Sequence, residues 1–425
     1  MKLTKLHFTN FKSLRDVSFE PGRVNVFIGA NGSGKTALLE ALGLCTAAMS
    51  GAVNEDRFQR RGIRLSVPEL YRSSFVDDKP ERTMSFALDW VENEGENTAK
   101  FSCRAGLGPY RITARGHSKK TAEKRTPDLA PKPVWRWLTN QFIYKKDGDT
   151  LFDRGLPPSI TPLDMYFLSG FSNDIFAQHA GDSGIDAYEK FRQYIASYGI
   201  YQPTTPVLRG TIPDPNQTEP VGLNGGRLAE AMKELIRTDE EGDSYFGSLY
   251  MDDVLEMIDW LQSVKITEPK KSTLNANIPT TRNVIEFQDR YMKSTARFTA
   301  YDASEGALYV FFLLSLAMHP DAPPVFAVDN FDQALNPRLA RHLTETFCEL
   351  ILEQKKQVFL TTHNPLVLDG LDLSNDDIRL FTVERDSESG KTNVKRVELT
   401  TNLLKQEQPA SRLWVNGLLG GVPLL

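Results

Sequence analysis

The octapeptide Gly29-Ala30-Asn31-Gly32-Ser33-Gly34-Lys35-Thr36 decides the fold. Before it stands Val24–Ile28, a β-prone apolar run broken only by Asn25; after it comes Thr36–Met49, rich in Ala and Leu at helical spacing. Strand, glycine-rich loop and helix in that order make a phosphate cradle. The glycines let successive backbone N–H groups turn inward, and the helix N-terminus adds partial positive charge. Lys35 then addresses the phosphates and Thr36 a magnesium ion, so the expected ligands are a nucleoside triphosphate and Mg2+. A glycine-rich turn without a ligand is the alternative, and the flanking strand and helix weigh against it.

A P-loop needs a carboxylate on its metal, and Asp329 supplies one directly after the apolar strand Val325–Val328. Thr36 and Asp329 are therefore the candidate metal residues. Four further stretches complete a pattern: Phe8-Thr9-Asn10-Phe11-Lys12-Ser13, Ser304-Glu305-Gly306, Asn336-Pro337 after Asp332, and Thr361-Thr362-His363-Asn364-Pro365. Together with the P-loop and Asp329 they resemble the ABC-type ATPases of the RecF, SMC and OLD-nuclease group, over roughly residues 1–50 and 295–370.

That resemblance implies an α/β fold: an ABC-type P-loop ATPase head with a central, mostly parallel sheet, a small antiparallel β subdomain and a mixed, partly helical insertion. It implies that Asn10, Phe11 and Lys12 lie against the nucleotide beside Asn31, Gly32, Ser33, Gly34, Lys35 and Thr36. Ser304, Glu305 and Gly306 would be a signature motif reaching the γ-phosphate held by a second copy, giving a homodimer closed on ATP. Taken alone, Ser304 is a good helix N-cap and His363 a histidine after a strand. The motif assigns His363 to the γ-phosphate and the attacking water. Where the group has Glu after the Walker B aspartate this chain has Asn330, which cannot accept a proton, so hydrolysis is expected to be slow, with Asn330 positioning water and Asp332 offering a carboxylate. The group's Q-loop glutamine finds no good match at Gln59 or Gln178. Stand-alone relatives act with a separate nuclease-like effector in DNA repair or anti-phage defence, and no nuclease-type acid cluster follows the ATPase here.

Composition is that of a globular protein: 425 residues, 40% hydrophobic and 25% charged, with a net charge of −5. The charge argues against a wholly nucleic-acid-coated surface. One segment departs from it, since Arg104 to Lys146 holds eleven Lys or Arg against two acids, with Tyr110, Trp135, Trp137 and Phe142 interspersed. Such a segment can track a DNA backbone and stack bases, or simply be a solvated loop. Three distant cysteines give no disulfide framework, and neither a leader nor a membrane span is read, so a cytoplasmic location is expected.

The expected division is 1–100 for the first half of the head, 101–292 for the insertion, 293–400 for the second half and 401–425 for an apolar tail. Within the insertion, helices are expected at Leu228 to Arg237 and Met251 to Val264. From Asn283 onward strands and helices alternate again, and the tail, ending in apolar residues around Trp414, is expected to dock on its own head or on a partner.

Overall fold

The computed structural model describes residues 1–50, 53–76, 83–94, 97–112, 134–155, 181–271, 273, 283–398 and 408–421. The P-loop strand β3 (Val24–Ile28) lies third in a six-stranded sheet of order β18-β17-β3-β16-β15-β8. The other strands of this sheet are β8 (Ile200–Tyr201), β15 (Val325–Val328), β16 (Gln357–Thr361), β17 (Ile378–Arg385) and β18 (Thr392–Arg396), of which β16 and β17 flank β3. All neighbours run parallel except β17 and β18. Every residue of β3, β15 and β16 is buried, as a parallel sheet covered on both faces requires.

Two cores lie on the two faces. One contains Val24, Val26, Ile28, Phe326, Val328 and Leu360 beneath α7 (Glu305–Met318) and α8 (Pro337–Glu353). The other contains Phe27, Val325, Ala327 and Phe359 beneath α1 (Lys35–Met49). The period-2 alternation of side chains divides one strand between them. Asn25, the polar break in β3, is fully buried yet satisfied: Nδ2 donates to the Gly22 and Val358 carbonyls at 3.0 Å each, and Oδ1 accepts from the Gly22 N–H at 2.7 Å.

A second six-stranded sheet is antiparallel throughout, in the order β2-β1-β4-β5-β6-β7. It comprises β1 (Lys2–Phe11), β2 (Leu14–Phe19), β4 (Met84–Glu94), β5 (Asn97–Ile112), β6 (Val134–Lys146) and β7 (Asp149–Gly155). From Lys5 to Asn10 of β1 buried and less buried residues alternate, because only one face packs on α1. Buried Gln357 joins the sheets, its carboxamide exchanging two hydrogen bonds of 2.9 Å with the Leu3 backbone. The expected boundary at 100/101 falls inside β5, and the basic segment becomes β5 and β6 around residues 113–133, which lie outside the described residues.

Helices α2 (Glu55–Arg60) and α3 (Gly181–Ala196) flank this part of the molecule. Beyond α4 (Thr205–Leu208), the helix α5 (Leu228–Leu235) stops short of the expected Arg237, and β9 (Ile236–Thr238), β10 (Ser244–Phe246) and β11 (Leu249–Tyr250) form a small sheet. The α6 helix covers only Met251–Glu256. The helix expected to continue to Val264 is instead interrupted by the strand β12 (Leu261–Thr267), because Val264 and Ile266 pair with Phe287 and Ile285 of β13 (Val284–Asp289), which in turn pairs with β14 (Arg297–Thr299). β-branched residues at alternate positions favour that pairing over helix.

At the C-terminal end, α9 (Pro365–Leu368) packs on α10 (Ala410–Val415), and Leu413, Trp414 and Leu419 are buried in the core of the head. Among the described residues no helix is long and apolar enough to cross a membrane.

Candidate nucleotide site

The strand order places β16 between β3 and β15, so the loops leaving all three C-terminal ends meet. Open α/β sheets bind ligands at this edge. From β3 comes the P-loop, with Gly32 at φ 75° and Gly34 at φ 115°. Gly34 is obligatory twice over, since a Cβ there would lie 2.5 Å from Thr392 Oγ1. From β15 comes Asp329, whose two carboxylate oxygens accept from Thr36 Oγ1 at 2.9 Å and Thr361 Oγ1 at 2.5 Å. From β16 comes the Thr362–His363 turn, held by Asp332: its Oδ1 accepts from the Thr362 hydroxyl at 2.7 Å and the His363 N–H at 3.2 Å.

These residues surround a cavity of about 520 Å³ that includes Lys12, Asn31 to Thr36, Asp329, Asn330 and His363. The cavity fits a triphosphate. Lys35 Nζ rests on the Gly29 and Ala30 carbonyls at 2.8 and 3.0 Å, and the Ser33 hydroxyl is buried with no hydrogen-bond partner. Burial pushes the Lys35 ammonium down to about 8, against the opposing pull of Asp329 and Asp332. The His363 imidazole is lowered by burial and then by Lys35, so it is neutral at neutral pH and able to hydrogen-bond in either sense. Thr36 and Asp329 are the pair that would hold Mg2+, which supplies charge neutralisation to phosphate oxygens when bound.

Not every expected residue joins them. Asn10 is 1% exposed and donates through Nδ2 to the Thr83 carbonyl at 2.8 Å, while Phe11 is packed against Tyr71 and Phe86. Their place in the nucleotide set is therefore corrected: only Lys12 and Ser13 of that stretch line the cavity. Asp332 braces the switch turn and is not among the cavity's lining residues. Asn330 adopts φ 57°, a left-handed backbone that asparagine tolerates better than glutamate. Its N–H donates to Thr361 Oγ1 at 2.9 Å and its carbonyl accepts from the Tyr309 hydroxyl at 3.3 Å.

The signature stretch lies elsewhere. Ser304 caps α7 by accepting from the Ala307 N–H, and Glu305 accepts from the Thr205 hydroxyl. Ser304 and Gly306 line a separate cleft of about 930 Å³ with Asn336 and α6.

The sequence did not point to Glu40, Arg64, Arg72, Phe75 or Arg385. Buried Glu40 on α1 receives Arg64 in a fork of 2.8 and 3.2 Å and also binds Lys12, holding both cations at the cavity rim. Burial alone would raise the Glu40 carboxyl, but Arg64 and Lys12 outweigh it and keep it below its ordinary value. A lone acid inside Ala37-Leu38-Leu39-Glu40-Ala41-Leu42 was the available signal. Gln202, exposed at the end of β8, follows Tyr201, whose carbonyl accepts the Asp329 N–H at 3.0 Å; Gln59 lies on α2, and Gln178 lies outside the described residues.

Comparison with known proteins agrees with this geometry. Residues 5–151 match the model of an AAA domain, and residues 259–369 match one described as "AAA domain, putative AbiEii toxin, Type IV TA system". The DNA replication and repair protein RecF of Renibacterium salmoninarum is 50% identical over 58 residues, 13% of this chain and 14% of that protein. The chain thus carries AAA-type domain sequence with a RecF-like stretch. The RecF protein of Leifsonia xyli subsp. xyli is 41% identical over 70 residues, 16% of this chain and 18% of that protein, so each match spans under a fifth of the relative's length. Among solved structures, the SMC head domain from Thermotoga maritima covers 94% of this chain and 100% of its own at 14% identity and a TM-score of 0.43. An SMC head bound to the C-terminal winged-helix domain of ScpA covers 94% and 99% at 13% identity and 0.45.

Proposed function

We propose that the head binds ATP with Mg2+, closes over it as a homodimer and hydrolyses it slowly, as a nucleotide-gated switch acting on a separate effector protein. The observation that carries this reading is the separation of the two halves of the motif set. Ser304 and Gly306 open into a different cleft from the one that holds Lys35, Asp329 and His363, so a second copy is needed to bring a signature helix to the phosphates. Lys35 and the P-loop amides bind, Thr36 and Asp329 hold the metal, neutral His363 meets the γ-phosphate and Asn330 orients water by hydrogen bonding.

The cytoplasm, and a role in anti-phage defence in preference to DNA repair, complete the proposal. The match to a model described as a putative toxin of a toxin–antitoxin system favours defence, and the RecF matches favour repair. DNA contact through the basic strands β5 and β6 belongs to the same reading, as does an OLD-like division of labour with a nuclease. A second reading, a scaffold in which ATP is a structural ligand, is favoured by one residue, Asn330.

The test is ATP turnover by the purified chain beside Lys35→Ala, with light scattering after size exclusion in ATP and in ADP. Slow turnover lost in the variant, with assembly only in ATP, is the expected result. No turnover and an assembly indifferent to nucleotide would leave the scaffold reading.

A further inference from the structure

The strand order gives the nucleotide cavity two ends. Asp329 and His363 leave β15 and β16, on one side of β3, whereas β17 and β18 lie on the other side. The turn joining those two strands carries Gly390 and Lys391, with Arg385 Nε donating to the Gly390 carbonyl at 2.7 Å. Against that turn lies Phe75: Lys391 Nζ sits 5.7 Å from its ring centroid, and a Cβ on Gly390 would be 3.8 Å from the ring.

Phe75 comes from a segment fixed to β1 by the Lys12 N–H on the Tyr71 carbonyl at 2.9 Å and the Ser73 N–H on the Asn10 carbonyl at 3.0 Å. It is half-buried and is the one phenylalanine, tyrosine or tryptophan among the described residues that line the cavity. Beside it, Arg72 lines the same cavity with its Nε buried and without a hydrogen-bond partner.

From this placement we infer that Phe75 is the platform for the nucleotide's base, with Arg72 and Arg385 beside it. The inference rests on the nucleotide reading above and adds the subsite for the end of the ligand farthest from the metal. With the γ-phosphate at Asp329 and His363 and the β-phosphate in the P-loop, the remainder of the nucleotide extends toward β17 and β18. A planar base then meets an aromatic ring in a cationic surround. Every base offers a π-face, so stacking binds bases with little discrimination among them.

Calorimetric titration of the full chain with ATP and, separately, with inorganic tripolyphosphate tests this. Phe75→Ala is expected to weaken ATP by about tenfold while leaving tripolyphosphate unchanged, and Phe75→Trp to restore ATP binding. Thermal melting of each variant without ligand accompanies the titrations, and Phe75→Leu, which keeps apolar bulk but not the ring face, should behave as Phe75→Ala. Equal effects on both ligands, or none on ATP, would overturn the base platform while leaving the P-loop reading intact. Failure of the unaltered chain to bind either ligand would bring down both.

Discussion

The two six-stranded sheets share a chain and a helix, yet they use their strands differently. In the parallel sheet every residue of β3, β15 and β16 is buried, and chemistry is confined to the loops beyond the C-terminal ends. In the antiparallel sheet β1 buries alternate residues and turns Lys5 and His7 away from the core, so the strand itself presents a surface. The contrast teaches that interior substitutions in the first should act on stability and substitutions in its terminal loops on ligand, whereas the open face of the second should tolerate change until a partner is present.

The largest effect is expected at Phe27, buried between Phe381 and Phe359 at centroid distances of 5.3 and 6.4 Å. Phe27→Ala should cost about 3–5 kcal/mol, read as a lowered urea midpoint. Next, Lys35→Ala should weaken ATP by on the order of 100-fold, close to 3 kcal/mol, with little change in that midpoint. Equal loss of stability and binding would erase the division between strand and loop.

Asn330→Glu sharpens the same division within one loop. Placing glutamate at φ 57° should lower stability by roughly 1–2 kcal/mol, while the added carboxylate raises turnover at least about tenfold. Smaller still is the effect of pH. Because the Lys35 ammonium is depressed to about 8, a phosphate chain that favours the charged form should raise it again. ATP affinity should therefore fall as pH rises through 8, and binding at pH 8 should take up on the order of half a proton, measured by calorimetry in two buffers of different ionisation enthalpy. Lys5→Ala, on the open face, should shift stability by no more than about 0.5 kcal/mol.

Much of the parallel sheet was legible because its signals are local. The P-loop lies between its strand and helix, Asp329 closes an apolar run, and Ser304, Asn336 and Asn364 each cap the helix that follows. Less legible was whatever depends on distant segments meeting. Arg64, Arg72 and Phe75 reach the cavity from one stretch and Arg385 from another more than 300 residues away, and no spacing in the sequence brings them to the P-loop. Asn10 and Phe11 failed for the opposite reason: adjacent to Lys12 in sequence, both are buried in the core because the alternation of β1 breaks at Asn10, whose φ is 61°. In the insertion, the apolar residues of Leu261–Thr267 fit a helix or a strand, and pairing with β13 decides between them.

The most direct test of a nucleotide held by one copy and completed by another is to mix two inactive variants, Lys35→Ala and Ser304→Arg. A mixed dimer contains one site with an intact P-loop from the second variant and an intact signature from the first. The account predicts that ATP turnover, absent in either variant alone, reappears on mixing; turnover that stays absent in a demonstrated mixed dimer would contradict it.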